Sequence, residues 1–598
     1  MKITSIRSAK KRLALLACLV AFSLAACGEP REEKPDEGRR YTFRAVGGAS
    51  MGAMTAAQMG LRYNEMFDII APSGGALDLG MLIHWFRDGM MGGFCVPPEL
   101  GKLCRNPDQH QDYEHMDCGG PMGGGFDREG MIETFQDMFI AYGNLASFNP
   151  EHPYLPAGME EEFIHRTKAE MCADPVRLEG YYDWEFNPEG SHPVITFCEG
   201  DGDEQGVFDP EATRTQPVDL TYAVDLNDNG IRDSGEPVIF RMSERYDDYG
   251  EDRIPSAEEA GYDPQTNPDP AGDDYDALEN PLGTEDNHLY EDGEPYLDYG
   301  LDGVEGTADS PYDWGEGNGH FDYNQHVLRT AVMYDPSRLI QDLSTVELDR
   351  LDFYIDVGIR DHLGFKFSCE AFAGKMEARG RDIDLRHRYE SVLMEGYDVY
   401  DIHYIDWENI GRDLMIIYGN PDATQKEIDA GDGGHVGNGS QIFYRFFTMM
   451  GFVSERWPDG DFEVIEPADP AVVLDRTYYS EILGMDKQYF IFLPPGYDEN
   501  PDKTYPVLYM FHGIGMDADV LTTTALFADP WMNEGTVQKF IMVFPDGECQ
   551  DECNSGNFFV NQMGRHITGR RYEDSLILEL MPLIDETYRT RKPEVFEQ

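Results

Sequence analysis

Positive charge is scarce in this sequence. Its 598 residues include 47 Lys and Arg against 113 Asp and Glu, which gives a net charge of −66. Nearly half of the excess lies in residues 199–325, where 36 acidic residues accompany 5 arginines and no lysine. Proteins that bind nucleic acid neutralise its phosphates with Lys and Arg, so this balance excludes nucleic acid as a partner.

Long apolar runs are also missing. The apolar run at 13–22 follows several basic residues and is shorter than the roughly 20 residues that a membrane-spanning helix needs. This layout is typical of a signal peptide, which we assign to residues 1–26. The run ends in Leu-Ala-Ala-Cys-Gly, which resembles a bacterial lipobox. The resemblance implies a lipidated Cys27 that anchors the chain in the cell envelope, at the outer membrane or cell surface.

Cysteine is infrequent, and its spacing does not resemble a zinc site. Cys18 lies in the signal peptide and Cys27 in the lipobox, so eight cysteines remain. An even number in an exported chain predicts structural disulfides, but the sequence does not set their pairing. Only Cys549 and Cys553 are spaced as a local pair. The eight are Cys95, Cys104, Cys118, Cys172, Cys198, Cys369, Cys549 and Cys553.

A nucleophile motif is present near the start of the mature chain. A β-prone run at 41–46 leads into Gly48-Ala49-Ser50-Met51-Gly52, and residues 54–61 are predicted to form a helix with small side chains. A serine at the tip of a strand-turn-helix is held in a strained conformation with its hydroxyl exposed, and the flanking glycines leave room for the turn. The alternative is an ordinary glycine-rich turn. We predict that Ser50 is a nucleophile.

A candidate acid and a candidate base follow two later strands. The apolar run 351–357 ends shortly before Asp361, and the run 414–418 leads into the Gly-Gly-His loop of His435. The order Ser, Asp, His is that of an α/β-hydrolase. We predict that His435 takes the proton from Ser50 and that Asp361 orients the imidazole. Three other acids remain as rivals: Asp201, Asp203 and Asp422.

The acidic segment contains a complete calcium-loop pattern. Residues 225–236 place oxygen ligands at positions 1, 3, 5, 7, 9 and 12 with Gly230 at position 6. The flanks look like strands, so we expect a hairpin that a calcium ion stabilises, with a structural role for the ion. The alternative is a solvated loop that contains Asx-turns and binds no ion. Looser versions follow at 298–309 and 313–322. The predicted ligands are Asp225, Asn227, Asn229, Ile231, Asp233 and Glu236.

The last segment supplies a second motif. A buried strand predicted at 506–511 runs into His512-Gly513-Ile514, and a helix is predicted at 572–588. A His-Gly turn after a buried strand is where such folds offer a backbone N–H to an oxyanion. We therefore predict that the N–H groups of Ile514 and Met51 form the oxyanion hole.

These motifs resemble one family. The stretches Phe-Leu-Pro-Pro-Gly-Tyr at 492–497, Tyr-Pro-Val-Leu-Tyr-Met-Phe-His-Gly at 505–513 and Tyr-Glu-Asp at 572–574 are similar to the first half of esterase D. Residues 41–75 and, more faintly, 346–452 resemble its second half, although Ala53 stands where that family usually has glycine. The family includes enterochelin esterases, feruloyl esterases and mycolyltransferases. The resemblance implies an α/β-hydrolase, with a mostly parallel sheet flanked by helices.

The order of the two halves differs from the family. The His-Gly strand follows the nucleophile turn here instead of preceding it, which predicts a circularly permuted α/β-hydrolase with an acidic calcium-binding insert. The competing hypothesis is two half-domains that each need a partner chain. We divide the chain into a signal peptide at 1–26, a tether at 27–40, hydrolase parts at 41–198, 326–460 and 476–598, the insert at 199–325 and a linker at 461–475.

The sequence therefore predicts a lipid-anchored, calcium-stabilised serine esterase. Its substrate would be a small-molecule or glycan-linked ester. Acyl transfer is a close alternative, since only the acceptor differs. The non-enzymatic alternative is a calcium-binding adhesion lipoprotein that has a hydrolase fold but no catalytic activity. Residues 76–198 would form the pocket, and their sequence predicts no shape for it.

Overall fold

The computed structural model describes most of the chain outside its first third. The described residues are 38–84, 244–299 apart from 251, 277, 286, 288 and 292, then 316–321, 334–547, 557–561 and 571–596, with three short strands at 194–195, 221–223 and 238–239. Within these ranges, no helix has the length and apolar character needed to cross a membrane.

The strands and helices are numbered in chain order. The strands are β1 Arg39–Tyr41, β2 Arg44–Ala49, β3 Ile69–Ser73, β4 Val194–Ile195, β5 Thr221–Ala223, β6 Val238–Ile239, β7 Arg245–Tyr246, β8 Tyr296–Leu297, β9 Asp352–Gly358, β10 Ile383–His387, β11 Asp413–Tyr418, β12 Val472–Ser480, β13 Met485–Leu493, β14 Val507–Phe511, β15 Ile541–Pro545 and β16 Glu594–Phe596. The helices are α1 Met51–Arg62, α2 Leu79–His84, α3 Pro336–Asp342, α4 Thr345–Leu348, α5 Phe365–Ala378, α6 Gln425–Ile428, α7 Gly439–Arg456, α8 Ala518–Leu526, α9 Ala528–Glu534, α10 Tyr572–Ser575 and α11 Met581–Thr587.

One nine-stranded sheet carries the fold. Its order is β10-β11-β9-β3-β2-β14-β15-β13-β12. The seven strands from β10 to β15 are parallel, and β13 and β12 are antiparallel to their neighbours. The central strands are buried along their whole length, as expected for a parallel sheet covered on both faces. The fold is an α/β-hydrolase fold, as predicted.

At the centre of the sheet, a strand from the N-terminal part of the chain pairs with a strand from the C-terminal part. β14 lies parallel to β2, with Leu508 opposite Ala45 and Phe511 opposite Gly48. β3 lies on the other side of β2. The strands that residues 41–75 lack are therefore supplied by the C-terminal segment of the same chain. Parallel strands share their carboxyl edge, so the turns that follow β2 and β14 are neighbours.

Helix α1 packs closely on this centre. A Cβ built on Gly60 would lie 2.5 Å from Cγ1 of Ile70, so a glycine is needed where the helix crosses β3. The buried apolar side chains of α1, α5 and α11 join those of the sheet in one core. This core holds α1, which follows the turn after β2, against the sheet.

Several element boundaries differ from the sequence predictions. The first strand of the sheet covers 44–49 instead of 41–46. Helix α1 already begins at Met51, where the carbonyl of Ser50 accepts from the N–H of Met54 at 3.2 Å. β10 was not predicted, since its alternating Ile-Asp-Leu-Arg-His pattern lacks an apolar run. β12 begins at Val472, inside the stretch expected to be a linker. The C-terminal helix is interrupted by a wider turn at Leu576–Leu580.

The acidic segment has a small aromatic core of its own within 244–321. The rings of Tyr290 and Phe321 stack with centroids 3.9 Å apart, and Tyr246 meets both edge-on. The segment contacts the hydrolase part beside the loop after β9, where Nε of Arg360 donates a hydrogen bond to the carbonyl of Leu278 at 2.6 Å. The calcium loop predicted at 225–236 lies outside the described residues.

Strands β1 and β16 form a separate antiparallel pair, with Arg40 opposite Val595.

Candidate active site

Ser50 occupies a strained turn between β2 and α1. Its backbone angles are φ 56° and ψ −119°, outside the common regions for a residue with a Cβ. Its N–H donates to the carbonyl of Ser73 at 3.0 Å, which ties the turn to the end of β3. A Cβ on Gly52 would lie 2.1 Å from the carbonyl oxygen of Phe511, so glycine is required there. With its strained serine and its tightly packed glycine, the turn has the geometry predicted for a nucleophile elbow.

The structure brings the three predicted side chains together. Nε2 of His435 lies 3.0 Å from Oγ of Ser50, and Nδ1 of His435 lies 2.9 Å from Oδ2 of Asp361. An ionised carboxylate can only accept hydrogen bonds, so the ring donates from Nδ1 and Nε2 is left to accept from the serine hydroxyl. These distances are those expected of a nucleophile, a base and an orienting acid.

The carboxylate is the most enclosed of the three groups. Asp361 is buried, and its Oδ1 accepts from the N–H of Leu363 at 3.0 Å. Burial raises the pKa of the Asp361 carboxyl, but the hydrogen-bonded ring of His435, with a smaller effect of His362, outweighs burial and lowers the pKa overall. The ring of Phe365 packs edge-on against His435 at 5.2 Å between centroids. Asp361 is thus held ionised where it can stabilise an imidazolium.

The His-Gly turn after β14 lies beside the serine. A Cβ built on Gly513 would be 3.2 Å from Cβ of Ser50. The buried ring of His512 holds this turn: Nε2 accepts from the N–H of Gly547 at 2.8 Å, and Nδ1 therefore donates to the carbonyl of Gly513 at 2.9 Å. Burial lowers the pKa of His512, which favours the neutral ring that this pattern needs.

The two predicted oxyanion donors flank the serine. Met51 is buried at the first turn of α1, where N–H groups have no intrahelical acceptor. Ile514 follows Gly513 in the turn after β14, and its side chain is partly exposed. Their service as oxyanion donors stays a prediction. Both lie on the edge of the sheet that carries Ser50.

The rival acids do not take the place of Asp361. Asp422 lies exposed in the loop after β11, and its N–H donates to Oδ1 of Asn420 at 3.2 Å. Asp201 and Asp203 lie outside the described residues.

Sequence reasoning missed a buried ionic group beneath these residues. Asp356, inside β9, and Arg445, on α7, are joined by a hydrogen bond of 3.0 Å from the guanidinium Nε to Oδ1. Oγ of Ser73 donates to both oxygens of the same carboxylate, at 2.9 and 2.8 Å. The available signal was an aspartate inside an apolar strand and an arginine inside an aromatic helix, since buried charges are normally paired.

Cys369 does not form the disulfide that the cysteine count predicted. It is the cysteine that the described ranges contain, and it is a buried free thiol whose Sγ lies 3.3 Å from the carbonyl oxygen of Gly75. Burial raises the pKa of this thiol, which keeps it in the unreactive protonated form. The expectation of a disulfide was wrong for Cys369, because the site on α5 is part of the core.

Two carboxylate groups in the acidic segment have the spacing of cation ligands. In each group, one oxygen of every member lies within 4.8 Å of the others. Burial, followed by the charges of Asp252 and Glu259, raises the pKa of Asp273 to about 6, so repulsion within this group adds to the effect of burial. The groups are Asp248, Glu291 and Glu294, and Asp252, Glu259 and Asp273. The six residues predicted as calcium ligands lie outside the described residues.

The chain resembles known esterases in its C-terminal segment. Residues 480–596 match the family model described as "Putative esterase". Esterase Rv1288 and Esterase MT1326, from two strains of Mycobacterium tuberculosis, are each 30% identical over 114 residues, which is 19% of this chain and 23% of each relative. The chain thus aligns with about a quarter of their length. Ser50, Asp361 and His435 lie outside the family match.

Solved structures of esterases align with a similar share of the chain. A CE1 ferulic acid esterase from Anaeromyces mucronatus is 25% identical, with a TM-score of 0.17, over 23% of this chain and 50% of its own. An S-formylglutathione hydrolase from Agrobacterium tumefaciens is 15% identical, with a TM-score of 0.18, over 21% and 47%. These TM-scores are low, so the fold rests on the sheet described above. Residues 480–596 are thus similar to the esterase family, in the same segment whose motifs resemble esterase D.

Proposed function

We propose that this protein is a serine carboxylic-ester hydrolase that acts through Ser50, His435 and Asp361. The observation that carries the proposal is the continuous path of hydrogen-bond contacts from Oγ of Ser50 through both ring nitrogens of His435 to the buried carboxylate of Asp361. The match of residues 480–596 to the esterase family model supports the class of reaction. The substrate is a small-molecule or glycan-linked ester.

The reaction follows from the roles of these groups. Oγ of Ser50 attacks the ester carbonyl carbon while Nε2 of His435 takes the hydroxyl proton. The oxyanion of the tetrahedral intermediate is stabilised by the N–H groups of Met51 and Ile514. His435 then returns the proton to the leaving alcohol, and an acyl-serine remains. Water, deprotonated by the same imidazole, hydrolyses this acyl-enzyme and releases the acid.

The electrostatic surroundings suit each step. An imidazolium forms twice in the cycle, and the ionised Asp361 lies 2.9 Å from its Nδ1. The strained turn at Ser50 holds the hydroxyl at one height above the sheet, so attack needs little reorganisation. His512 fixes the turn that carries Ile514 without contributing a proton of its own.

Hydrolysis of p-nitrophenyl acetate tests the proposal. Ser50→Ala and His435→Ala are expected to lower turnover by about 10,000-fold or more while the melting temperature is kept. Ser391→Ala is the matched control, because its exposed hydroxyl donates only to the carbonyl of Arg388 in a surface turn. The control should keep wild-type turnover. Full activity in Ser50→Ala would end the assignment.

We also propose that the order of the chain is a circular permutation of the family fold. The pairing of β14 with β2 supports this, because the sheet is completed within one chain. A rearranged gene in which residues 472–596 precede 41–471 through a short linker, so that β12 stays intact, should give a folded, active protein. A rearranged chain that is insoluble, or folded but inactive, would favour the hypothesis of two half-domains.

Two further proposals concern the rest of the chain. The lipobox at Cys27 supports attachment to the cell envelope through lipid, and incorporation of labelled palmitate in wild type but not in Cys27→Ser tests it. The loop at 225–236 supports calcium binding by the acidic segment, with the ion in a structural role. The two carboxylate groups within 248–294 are the described residues that could hold such an ion.

A further inference from the structure

A buried arginine reaches both halves of the candidate site. Arg445 lies on α7, and its side chain is 7% exposed, while Asp356 on β9 is fully buried. Nε of Arg445 lies 3.0 Å from Oδ1 of Asp356 and 3.1 Å from Oγ of Ser73. The other oxygen of Asp356 accepts from the hydroxyl of Tyr354 at 2.8 Å. Both oxygens of the buried Asp356 carboxylate therefore accept hydrogen bonds.

One side of this group holds the nucleophile turn. The carbonyl of Ser73 accepts from the N–H of Ser50 at 3.0 Å, and the hydroxyl of Ser73 bonds to Asp356. The carbonyl of Asp356 also accepts from the N–H of Gly74 at 2.7 Å. A Cβ on Gly74 would lie 2.3 Å from Nη2 of Arg445, so the guanidinium fills the space under this turn.

The other side holds the histidine loop. Nη1 of Arg445 donates to the carbonyls of His435 and Val436, at 2.8 and 3.2 Å. The loop contains glycines at φ +68° (Gly433) and +86° (Gly437), positions where the backbone is intrinsically free. The loop therefore depends on outside contacts, and Arg445 supplies two of them next to the imidazole.

We propose that Arg445 is a positioning residue for catalysis, which holds the backbone of His435 at a fixed distance from the turn that carries Ser50. The inference rests on the proposed esterase function. Catalysis is sensitive to such placement, since a shift of about 1 Å costs about 100-fold in rate. A planar guanidinium has donors on several edges, so one side chain reaches a carboxylate and two carbonyls at once.

The geometry separates this role from stability alone. A buried ion pair is weak evidence for stability, because an apolar pair of similar volume often serves as well. Only one of the four hydrogen bonds from Arg445 goes to its counter-ion, and two go to carbonyls of the histidine loop. A lysine ammonium could reach either Asp356 or these carbonyls. It lacks the planar array of donors with which a guanidinium reaches both.

Arg381 provides a matched control. It is equally buried, at 7% side-chain exposure, and is paired with Asp413, with Nε and Nη2 each 2.6 Å from a carboxylate oxygen. Asp413 begins β11, whereas Tyr418 at the other end of that strand donates to the carbonyl of His435 at 3.0 Å. The control pair thus joins the start of β11 to the residue stretch just before β10, at the edge of the sheet away from the site.

The test compares Arg445→Lys with Arg381→Lys in the full-length protein. Wild type, Ser50→Ala and both variants are assayed with p-nitrophenyl acetate, and each is followed by thermal unfolding. We expect Arg445→Lys to lower kcat by about 10- to 100-fold with KM within about twofold of wild type. Arg381→Lys should keep wild-type kcat even where its melting temperature falls as far.

The outcomes distinguish the positioning role from the function on which it rests. Wild-type kcat in Arg445→Lys would overturn the positioning role and leave the esterase intact, and so would an equal loss of kcat in Arg381→Lys. A wild-type protein that has no Ser50-dependent hydrolysis would overturn both. Arg445→Gln leaves the charge of Asp356 unpaired, so it is expected to lose stability as well, and Lys is the decisive variant.

Discussion

Nε2 of His435 lies 3.0 Å from Oγ of Ser50, although the two residues are 385 positions apart in the chain. This closeness results from the sheet. β2, β9 and β11 are parallel and belong to a run of four adjacent strands, β11-β9-β3-β2. The loops at their carboxyl ends therefore meet at one edge of the sheet. Each loop supplies one of Ser50, Asp361 and His435.

Replacement of Gly52 by alanine should displace the nucleophile turn. The added Cβ would lie 2.1 Å from the carbonyl oxygen of Phe511, which is backbone of β14 and cannot rotate away. We expect a lower melting temperature and at least about 100-fold lower turnover of p-nitrophenyl acetate, since the turn must shift by about 1 Å. Gly374→Ala is the control.

Gly374 lies on α5, where an added Cβ would meet open space, with no neighbouring atom within 4 Å. Alanine there should be neutral or stabilise the helix by up to about 1 kcal/mol. Equal behaviour of the two variants would show that the space around Gly52 is not as tight as described.

Asp361→Asn should lower turnover by about 1,000- to 10,000-fold, because the amide can impose the wrong tautomer on His435 and cannot stabilise its cation. The pKa of Asp361 is lowered in the folded protein, so its ionised form adds stability above its unfolded pKa of about 3.9, and that stability is lost as pH falls through the folded value. Urea unfolding of wild type and variant below and above pH 4 measures this. A variant with wild-type turnover would remove Asp361 from the proposed triad.

Asp335 should make the protein less stable as pH rises. Burial, followed by the charge of Asp78, raises the pKa of its carboxyl to about 8. Oδ1 accepts from the N–H groups of Leu79 and Ser337, and Oδ2 has no hydrogen-bond partner among the described residues. A raised folded pKa gives stability that is complete below the unfolded pKa of about 3.9 and is lost as pH rises toward 8.

Asp335→Asn removes this titration and keeps the oxygen that caps α3. Its unfolding free energy should therefore fall less than that of wild type between pH 5 and pH 9. Urea unfolding at pH 5, 7 and 9 provides the comparison. Parallel pH curves for the two proteins would show that Asp335 is ionised throughout.

Removal of calcium should destabilise the protein. The carboxylates of residues 199–325 repel one another without cations, and an ion that binds only the folded state at 100 times its Kd adds about 2.7 kcal/mol. EGTA is expected to lower the melting temperature, and CaCl2 but not an equal concentration of MgCl2 should restore it. Asp225→Ala should reduce the effect of EGTA. An unchanged melting temperature would count against bound calcium.

Much of the site could be predicted because its residues follow strands. The apolar runs at 351–357 and 414–418 identified two strands, and the carboxyl ends of parallel strands share one edge, so Asp361 and His435 were expected near Ser50. The motif at 512–513 indicated that the missing strands come from the end of the chain. These inferences needed only local patterns and the geometry of a parallel sheet.

The remaining features depend on contacts that a local pattern does not encode. The pairing of Asp356 with Arg445 joins β9 to α7, and each residue alone looks like a misplaced charge. Cys369 was expected in a disulfide, but it is a free thiol because it lies on the buried face of α5. The strands β10 and β12 lack the apolar runs by which the others were identified, since both lie at edges of the sheet.

The most direct test of the central claim is labelling with a fluorophosphonate, which requires an activated serine and no particular substrate. Mass spectrometry of the wild-type protein should find the adduct on Ser50, and His435→Ala should label at least about 1,000-fold more slowly at equal folded concentration. Absence of an adduct from folded wild-type protein, or an adduct on another serine, would contradict the account.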